Sequence, residues 1–330
     1  MAYEKIEEIA KRLALSPSTI SRVINGKNNV SEKTRNKVLE ALKESKYVPN
    51  LIARSLKTTT KFIGAIFPDM KNPYFIEVIS GIERVLKNRG YTVLYLNTNN
   101  SIEEEERSII ELLSVRVQGI ILLSSLSIKG SKVIELAKEN TYLTSVENCI
   151  EGVDSICIDN QVGTRQAIEY LLSMGHKKIG YCSKTLSYNS WNARYEAYRK
   201  ILEENGIPVV SDYIYIGENF TELLDKNNLP SAIYANTDLN AVEIYEWCQK
   251  NNIKIGEELS IIGFDNINFS KILTPKLTTI AQPAYSIGET VAENLLLRIE
   301  RKSKENIKQI LIEPNLKIRD SVKKINNVIK

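Results

Sequence analysis

The stretch SPSTISRVIN, from Ser16 to Asn25, gathers small hydrogen-bonding groups at helical spacing. Ser16 can cap free backbone N–H groups and Pro17 suits a first helical position, where its missing N–H costs nothing, so a helix is predicted to start here. Ile20, Val23 and Ile24 then recur as one apolar face, which leaves Pro17, Ser18, Thr19, Ser21, Arg22 and Asn25 pointing outward. Hydroxyls, a carboxamide and one guanidinium on an exposed helix are groups that bond base edges and phosphates, and such a face suits a DNA groove. Bond-breaking chemistry has no comparable constellation. The single histidine, His176, sits in Gly175-His176-Lys177 at the entry to a strand, where a structural hydrogen bonder is the expected role. No glycine-rich dinucleotide or nucleoside-triphosphate cradle occurs, so no catalytic residue and no cofactor is assigned and the chain is expected not to be an enzyme. Cys149, Cys157, Cys182 and Cys248 lack the close paired spacing of a metal site or a disulfide framework and read as buried thiols; no metal is expected.

The elements that must position the Ser16 face follow from the flanking pattern. Ile6, Ile9, Ala10 and Leu13 form the stripe of a first helix over 5–13, joined to the second by a very short turn. Val30-Ser31 supplies another cap, after which Val38, Leu39, Leu42 and Tyr47 continue a third helix that closes a small core. In such a helix-turn-helix the second helix enters the major groove with its N-terminal side chains on base edges, which assigns base reading to Pro17, Ser18 and Arg22. Charge agrees. Residues 1–60 hold 12 Lys and Arg against 6 Glu and no Asp, a net of +6, while the remainder holds 32 against 34 acidic residues, a net of −2. A basic module on a near-neutral body is the footprint of a phosphate-binding head.

From Phe62 the texture changes. The runs FIGAIF, TVLYL, GIILL, YLTSV, SICI, KIGYC, SAIYA and SIIGF are each followed by a helical pattern, the signature of a parallel-sheet α/β protein. About ten strands are too many for one comfortable open sheet of this length, so two doubly wound lobes with a cleft between them are predicted. No run of 18 apolar residues and no apolar leader is found, and the expected location is the cytoplasm with no membrane contact.

The run IEEIAKRLALSPSTISRVINGKNNVSEKTRNKVLEALKESKYVPNLIARSL resembles the DNA-binding head of the LacI/GalR family of bacterial transcription regulators. FPDMKNPYF, VQGIIL, VDSICIDN, LLSMGHKKIGY, LSIIGFDN and LTPKLTTIAQP resemble the periplasmic-binding-protein-like core of that family. The likeness implies an α/β chain with an N-terminal all-α helix-turn-helix domain over 1–48 and a hinge helix and linker over 49–61. A two-lobed effector-binding and dimerisation domain over 62–330 follows. Lobe 1 is placed at about 62–160 and 283–310, lobe 2 at about 161–281 and 311–325, with crossings near Asn160, Gln282 and Leu311. It also implies that Asn50, Ala53, Arg54 and Leu56 belong to a hinge helix that pairs with its twofold mate in the minor groove, Leu56 serving as the wedge between base steps. Alone, so short a segment would barely hold as a helix. One departure is Ala14, at a turn where the family often has Gly; a positive φ there would cost Ala roughly 1 kcal/mol.

For the cleft, the resemblance implies effector contacts from Tyr74, Phe75, Glu147, Arg194, Asp265 and Gln282, with Phe220 as a third aromatic face from the second lobe. Tyr188 and Trp191 lie on a loop unlike the arginine-bearing loop of purine-sensing members, and Thr237 stands where Asn is common. Carboxylates accept pairs of hydroxyl hydrogens, arginine donates a fork and aromatic rings cover a pyranose, so a neutral sugar is the preferred effector. A purine or nucleoside comes second and a sugar phosphate third; a solute receptor without DNA function is a remote alternative. The expected partners are a pseudo-palindromic double-stranded DNA operator, the small-molecule effector and a second copy of the chain. The helix from Tyr74 to Leu86 is the expected self-pairing face, and the tail is too short for a tetramer-forming coiled coil.

Overall fold

The computed structural model describes residues 4–24, 29–45, 61–123, 131–303 and 307–325. The chain divides into two compact units, Met1–Thr60 and Lys61–Lys330.

In the first unit, α1 (Ile6–Leu13), α2 (Pro17–Ile24) and α3 (Glu32–Glu44) surround one small core. Ile9, Ala10, Ile20, Val23, Val38 and Ala41 are its buried members. Ser16 caps α2 by accepting the Thr19 N–H at 3.2 Å, and Ser31 caps α3 by accepting the Thr34 N–H at 3.3 Å. Ala14 ends α1 in the left-handed region, at φ 53° and ψ 43°, so the turn carries the conformation that Gly adopts without a Cβ penalty. Leu39 departs from expectation. It is 44% exposed, and Ala41 fills the core in its place because α3 presents Val38 and Ala41, three residues apart, on one face. Tyr47 lies outside the described residues.

The second unit contains two six-stranded sheets. The first holds β1 (Phe62–Phe67), β2 (Thr92–Asn97), β3 (Gly119–Leu123), β4 (Tyr142–Val146), β5 (Asp154–Ile158) and the late strand β11 (Gln309–Ile312), in the order β11-β5-β4-β3-β1-β2. The second holds β6 (Ile179–Ser183), β7 (Ile214–Ile216), β8 (Ala232–Ala235), β9 (Ser260–Asp265), β10 (Thr278–Ala281) and β12 (Asn315–Lys317), in the order β12-β10-β9-β8-β6-β7. Every pairing is parallel except β10 with β12, which is antiparallel. The two sheets repeat one doubly wound order. In each, the strand order reverses beside the first strand of the lobe, the place where open α/β sheets bind ligands.

Helices α4 (Pro73–Asn88), α5 (Ile102–Ser114), α6 (Lys132–Asn140) and α11 (Ala284–Arg301) cover the first sheet. Helices α7 (Asn160–Ser173), α8 (Asn189–Glu204), α9 (Asp238–Asn251) and the short α10 (Phe269–Ile272) serve the second. Because the strands are covered on both faces they read as continuous apolar runs, which is why β1 and β3 were legible. The apolar stripe of α4 is not free for self-pairing. Tyr74, Phe75, Val78, Ile82 and Leu86 are buried inside the chain, and Gly81 and Gly288 let α4 and α11 meet so closely that a Cβ on either would strike the other helix's backbone. The third crossing also shifts: Leu311 pairs with Cys157 inside the first sheet, so the chain leaves that lobe at 313–314.

Candidate functional site

The head presents one polar face. Pro17, Ser18 and Arg22 are exposed, Thr19 and Ser21 half-buried. The Ser16 hydroxyl lies 2.8 Å from that of Ser18 and 2.9 Å from that of Thr19, so the three hydroxyls orient one another at the start of α2. Asn25, Asn50, Ala53, Arg54 and Leu56 lie outside the described residues.

The body contains a cavity of about 470 Å³ between its two sheets, at the carboxyl ends of their strands. Of the residues expected there, Tyr74, Phe75, Glu147, Tyr188, Trp191, Arg194, Thr237, Asp265 and Gln282 line it. Phe220 does not. Its ring is fully buried in the second lobe with Cys182, Tyr215 and Leu224, at the start of a 3-10 turn after β7, so it belongs to the core beneath the cleft. The aromatic lining is therefore two edge-on pairs. Tyr74 and Phe75 from α4 have centroids 5.2 Å apart, and Tyr188 and Trp191 before and within α8 lie 4.7 Å apart.

Arg194, on α8, is the anchor of the polar floor. Its guanidinium lies 3.6 Å over the Phe264 ring, Nε donates to Asn160 Oδ1 at 2.8 Å, and Nη1 donates to the Asn236 carbonyl at 2.7 Å. Asp265 Oδ1 is 3.8 Å from Nη1 and accepts a 2.6 Å bond from Gln282 Nε2. Burial pushes the Asp265 carboxyl up to about 7, partly opposed by Arg194 and by the Gln282 bond, with Glu147 adding to the rise. Tyr74 donates a short hydrogen bond to Glu147 Oε1, and burial followed by the Glu147 charge raises its hydroxyl well above the ordinary range. Of the carboxylates that line the cleft, Glu147 and Asp265 stand on strained backbone, with φ 73° and φ 117° respectively. Side chains held in that region by their surroundings are characteristic of binding sites.

Three buried acceptors facing this cavity have no hydrogen-bond partner among the described residues: Asp265 Oδ2, Gln282 Oε1 and Asn240 Oδ1. Such atoms cost about 1–3 kcal/mol each when left unmade, so the floor is built to receive donors. Thr237 serves mainly as the cap of α9, accepting the Asn240 N–H at 3.1 Å, and so places Asn240. Sequence reasoning missed Asn240 and a bond between lobes, in which Asn189 Nδ2 donates to Asn148 Oδ1 at 2.8 Å. The signal for Asn240 was its place in the first turn of the helix after a central strand. A bond between residues 41 apart leaves no local pattern.

His176 is structural, its ring nitrogens 2.9 Å from Ser231 Oγ and 3.0 Å from the Lys323 carbonyl oxygen. The cysteines divide. Cys157, Cys182 and Cys248 are buried, but Cys149 is exposed and its sulfur lies 2.8 Å from that of Cys157, because the loop after β4 folds back along β5. Among the described residues no cluster of ligands could hold a metal ion, and no helix is long and apolar enough to cross a membrane.

A capped helix-turn-helix joined in one chain to a two-lobed binding core defines a regulatory protein that couples a nucleic-acid-reading head to a ligand cleft. Residues 5–50 match the lacI family of bacterial regulatory proteins, and residues 168–322 match the periplasmic binding protein-like domain. The chain is 32% identical to catabolite control protein A of Priestia megaterium, across 96% of this chain and 99% of that protein. It is also 32% identical to the HTH-type transcriptional repressor PurR of Mannheimia succiniciproducens, across 97% and 99% respectively. The chain belongs to the lacI family of bacterial regulators. In fold it superposes on the lac repressor dimer bound to operator and the anti-inducer ONPF with TM-score 0.82, at 23% identity over 98% of this chain and 100% of that one. A LacI family regulator from Enterococcus faecium with bound ribose gives TM-score 0.71 at 26% identity, over 80% of this chain and all of the other.

Proposed function

We propose that the chain is a cytoplasmic, non-enzymatic transcription regulator, acting as a repressor, that binds a pseudo-palindromic operator as a homodimer. Its operator affinity is controlled by a neutral sugar in the cleft. The observation that carries the sugar reading is the set of unpartnered acceptors, Asp265 Oδ2, Gln282 Oε1 and Asn240 Oδ1. Hydroxyl groups supply hydrogens to such oxygens, whereas a phosphate brings only more acceptors and meets the carboxylates of Asp69, Glu147, Glu218, Glu243 and Asp265, which outnumber the cations of Lys71, Lys184 and Arg194. Tyr74, Phe75, Tyr188 and Trp191 offer faces for the apolar side of a ring, and the ribose held by the Enterococcus faecium relative has the same chemistry. A nucleoside also carries hydroxyls, and the aromatic edges leave it as the second reading.

For the head, Ser16, Pro17, Ser18, Thr19, Ser21, Arg22 and Asn25 face the major groove, and Asn50, Ala53, Arg54 and Leu56 act in the minor groove. Self-association uses what α4 and α11 leave outside, Ile76 at 41% and Tyr285 at 39% exposure, rather than the buried stripe.

A thermal-shift screen of neutral sugars, nucleosides and sugar phosphates tests the cleft. Saturating sugar at a hundredfold excess over Kd should stabilise the protein by about 2.7 kcal/mol, and Asp265→Asn should remove most of that gain. Stabilisation by phosphorylated compounds alone would overturn the sugar reading. Selection of bound sequences from random duplexes tests the head: Arg22→Ala should cost about 1–3 kcal/mol and relax one base position. Equal binding to selected and random duplex at moderate salt would refute it.

A further inference from the structure

We propose that Cys149 and Cys157 form an oxidisable dithiol at the rim of the cleft, which a hydroperoxide or a small disulfide closes into a reversible disulfide. Closure fixes the loop that carries Glu147 and Asn148. The two sulfurs lie 2.8 Å apart, and closing them to a bond of about 2.05 Å asks the exposed Cys149 loop to move by less than an ångström. The loop is already tied to β5: Glu147 N–H donates to the Ile156 carbonyl at 3.2 Å, and Ile150 N–H donates to Ser155 Oγ at 3.3 Å.

The two thiols have different roles. Cys149 is exposed and meets the oxidant; Cys157 is buried, and burial, Cys149 and Glu147 all push its thiol upward, so it does not attack first. With hydrogen peroxide, the Cys149 thiolate attacks a peroxide oxygen, forming S–O as O–O breaks, and the departing hydroxide takes up a proton to leave as water. The Cys157 thiolate, its proton released, then attacks the Cys149 sulfur; S–S forms, S–O breaks and a second water leaves. Two thiols thus give up two electrons and two protons, and the hydroperoxide accepts them. With a small disulfide as oxidant, two small thiols are released instead.

The consequence lies one and two residues from Cys149. Asn148 accepts the bond from Asn189 that bridges the lobes, and Glu147 accepts from Tyr74 at the ligand floor. A covalent tie at 149 therefore restricts a loop that touches both. Its effect on ligand affinity rests on the cleft reading above; the disulfide itself does not.

The full-length protein, reduced and then exposed to a few equivalents of hydrogen peroxide, should lose two hydrogen atoms per chain. A Cys149–Cys157 linked peptide should appear, reversed by dithiothreitol, with Cys182 and Cys248 still alkylated as thiols. Hydrogen exchange should slow in 145–153 and change in 186–192. Cys149→Ser should abolish the link, and Cys157→Ala should leave a Cys149 sulfenic acid that dimedone traps. A Cys149 that oxidises only to intermolecular or mixed products while Cys157 stays a thiol would overturn the proposal, as would a linked peptide with exchange unchanged in both segments. Failure of the sugar reading alone would look different: the link and the exchange changes would persist while no sugar altered the melting temperature.

Discussion

Asp265 concentrates the electrostatic argument. Its folded-state carboxyl is raised to about 7 chiefly by burial, so between the ordinary carboxylate range and neutrality the native state holds a proton that the unfolded chain has released. Stability therefore falls with rising pH across that window, because the native state binds more protons there. Ligand binding runs the other way. Sugar hydroxyls donating to the carboxylate favour its charged form, so binding expels the proton and affinity should rise with pH, by at most tenfold per unit below about 7 and levelling above it. Titration calorimetry from pH 5.5 to 8 in buffers of different ionisation enthalpy should detect the released proton, and Asp265→Asn should flatten the profile. A wild-type affinity flat across this range would mean that Asp265 does not contact the ligand. Asp238 is also raised well above the ordinary carboxylate range, by burial and then by Asp265, but Thr279 and the Ile267 N–H satisfy its oxygens and hold it as part of the frame.

Among the elements, the contact between α4 and α11 fixes the lobe that carries Tyr74 and Phe75. A Cβ at Gly288 would fall on the Val78 carbonyl, and backbone cannot swing aside as a side chain can. Gly288→Ala should then destabilise by about 1–3 kcal/mol through overpacking, although alanine is the better helix former, and denaturant unfolding reads it directly. A neutral or stabilising result would show that the helices can separate without loss. The same contact marks what the sequence could reveal. The apolar stripe of α4 was plain, but nothing in its spacing says whether a second copy or α11 covers it, since the partner helix lies some two hundred residues away in the chain. Strands buried on both faces, such as FIGAIF and GIILL, declared themselves by continuous hydrophobicity. β12 did not, because a three-residue edge strand with alternating exposure resembles a loop, and the Thr-rich β10 has too little apolar content. Phe220 was misplaced for a related reason: family likeness locates a loop after β7, but only packing decides that its ring turns inward toward Tyr215 and Leu224.

On the scale of the whole molecule, regulation requires that the cleft and the head share one free-energy balance. A ligand shifts an equilibrium only by the difference in its affinity for two states, and the bond between Asn148 and Asn189 marks one state in which the lobes already touch. An effector that fits between the lobes and engages Glu147 of the first together with Asp265 and Asn240 of the second would change how they stand to one another. It follows that the factor by which effector alters operator affinity must equal the factor by which operator alters effector affinity, typically 5- to 150-fold for coupled sites. Measuring both, by fluorescence anisotropy on labelled operator and by calorimetry on the operator complex, closes the thermodynamic square. Asn189→Ala, which removes the bridge without touching the ligand floor, should change this coupling factor while leaving operator affinity in the absence of effector within about tenfold, since a single hydrogen bond contributes roughly 0.5–1.5 kcal/mol. An Asn189→Ala protein with wild-type coupling would remove the bridge from the switch, and unequal factors would mean that more than one ligand or more than one oligomeric state is involved. A coupling of unity in the wild type would leave the body as a scaffold that joins two heads and responds to nothing in its cleft.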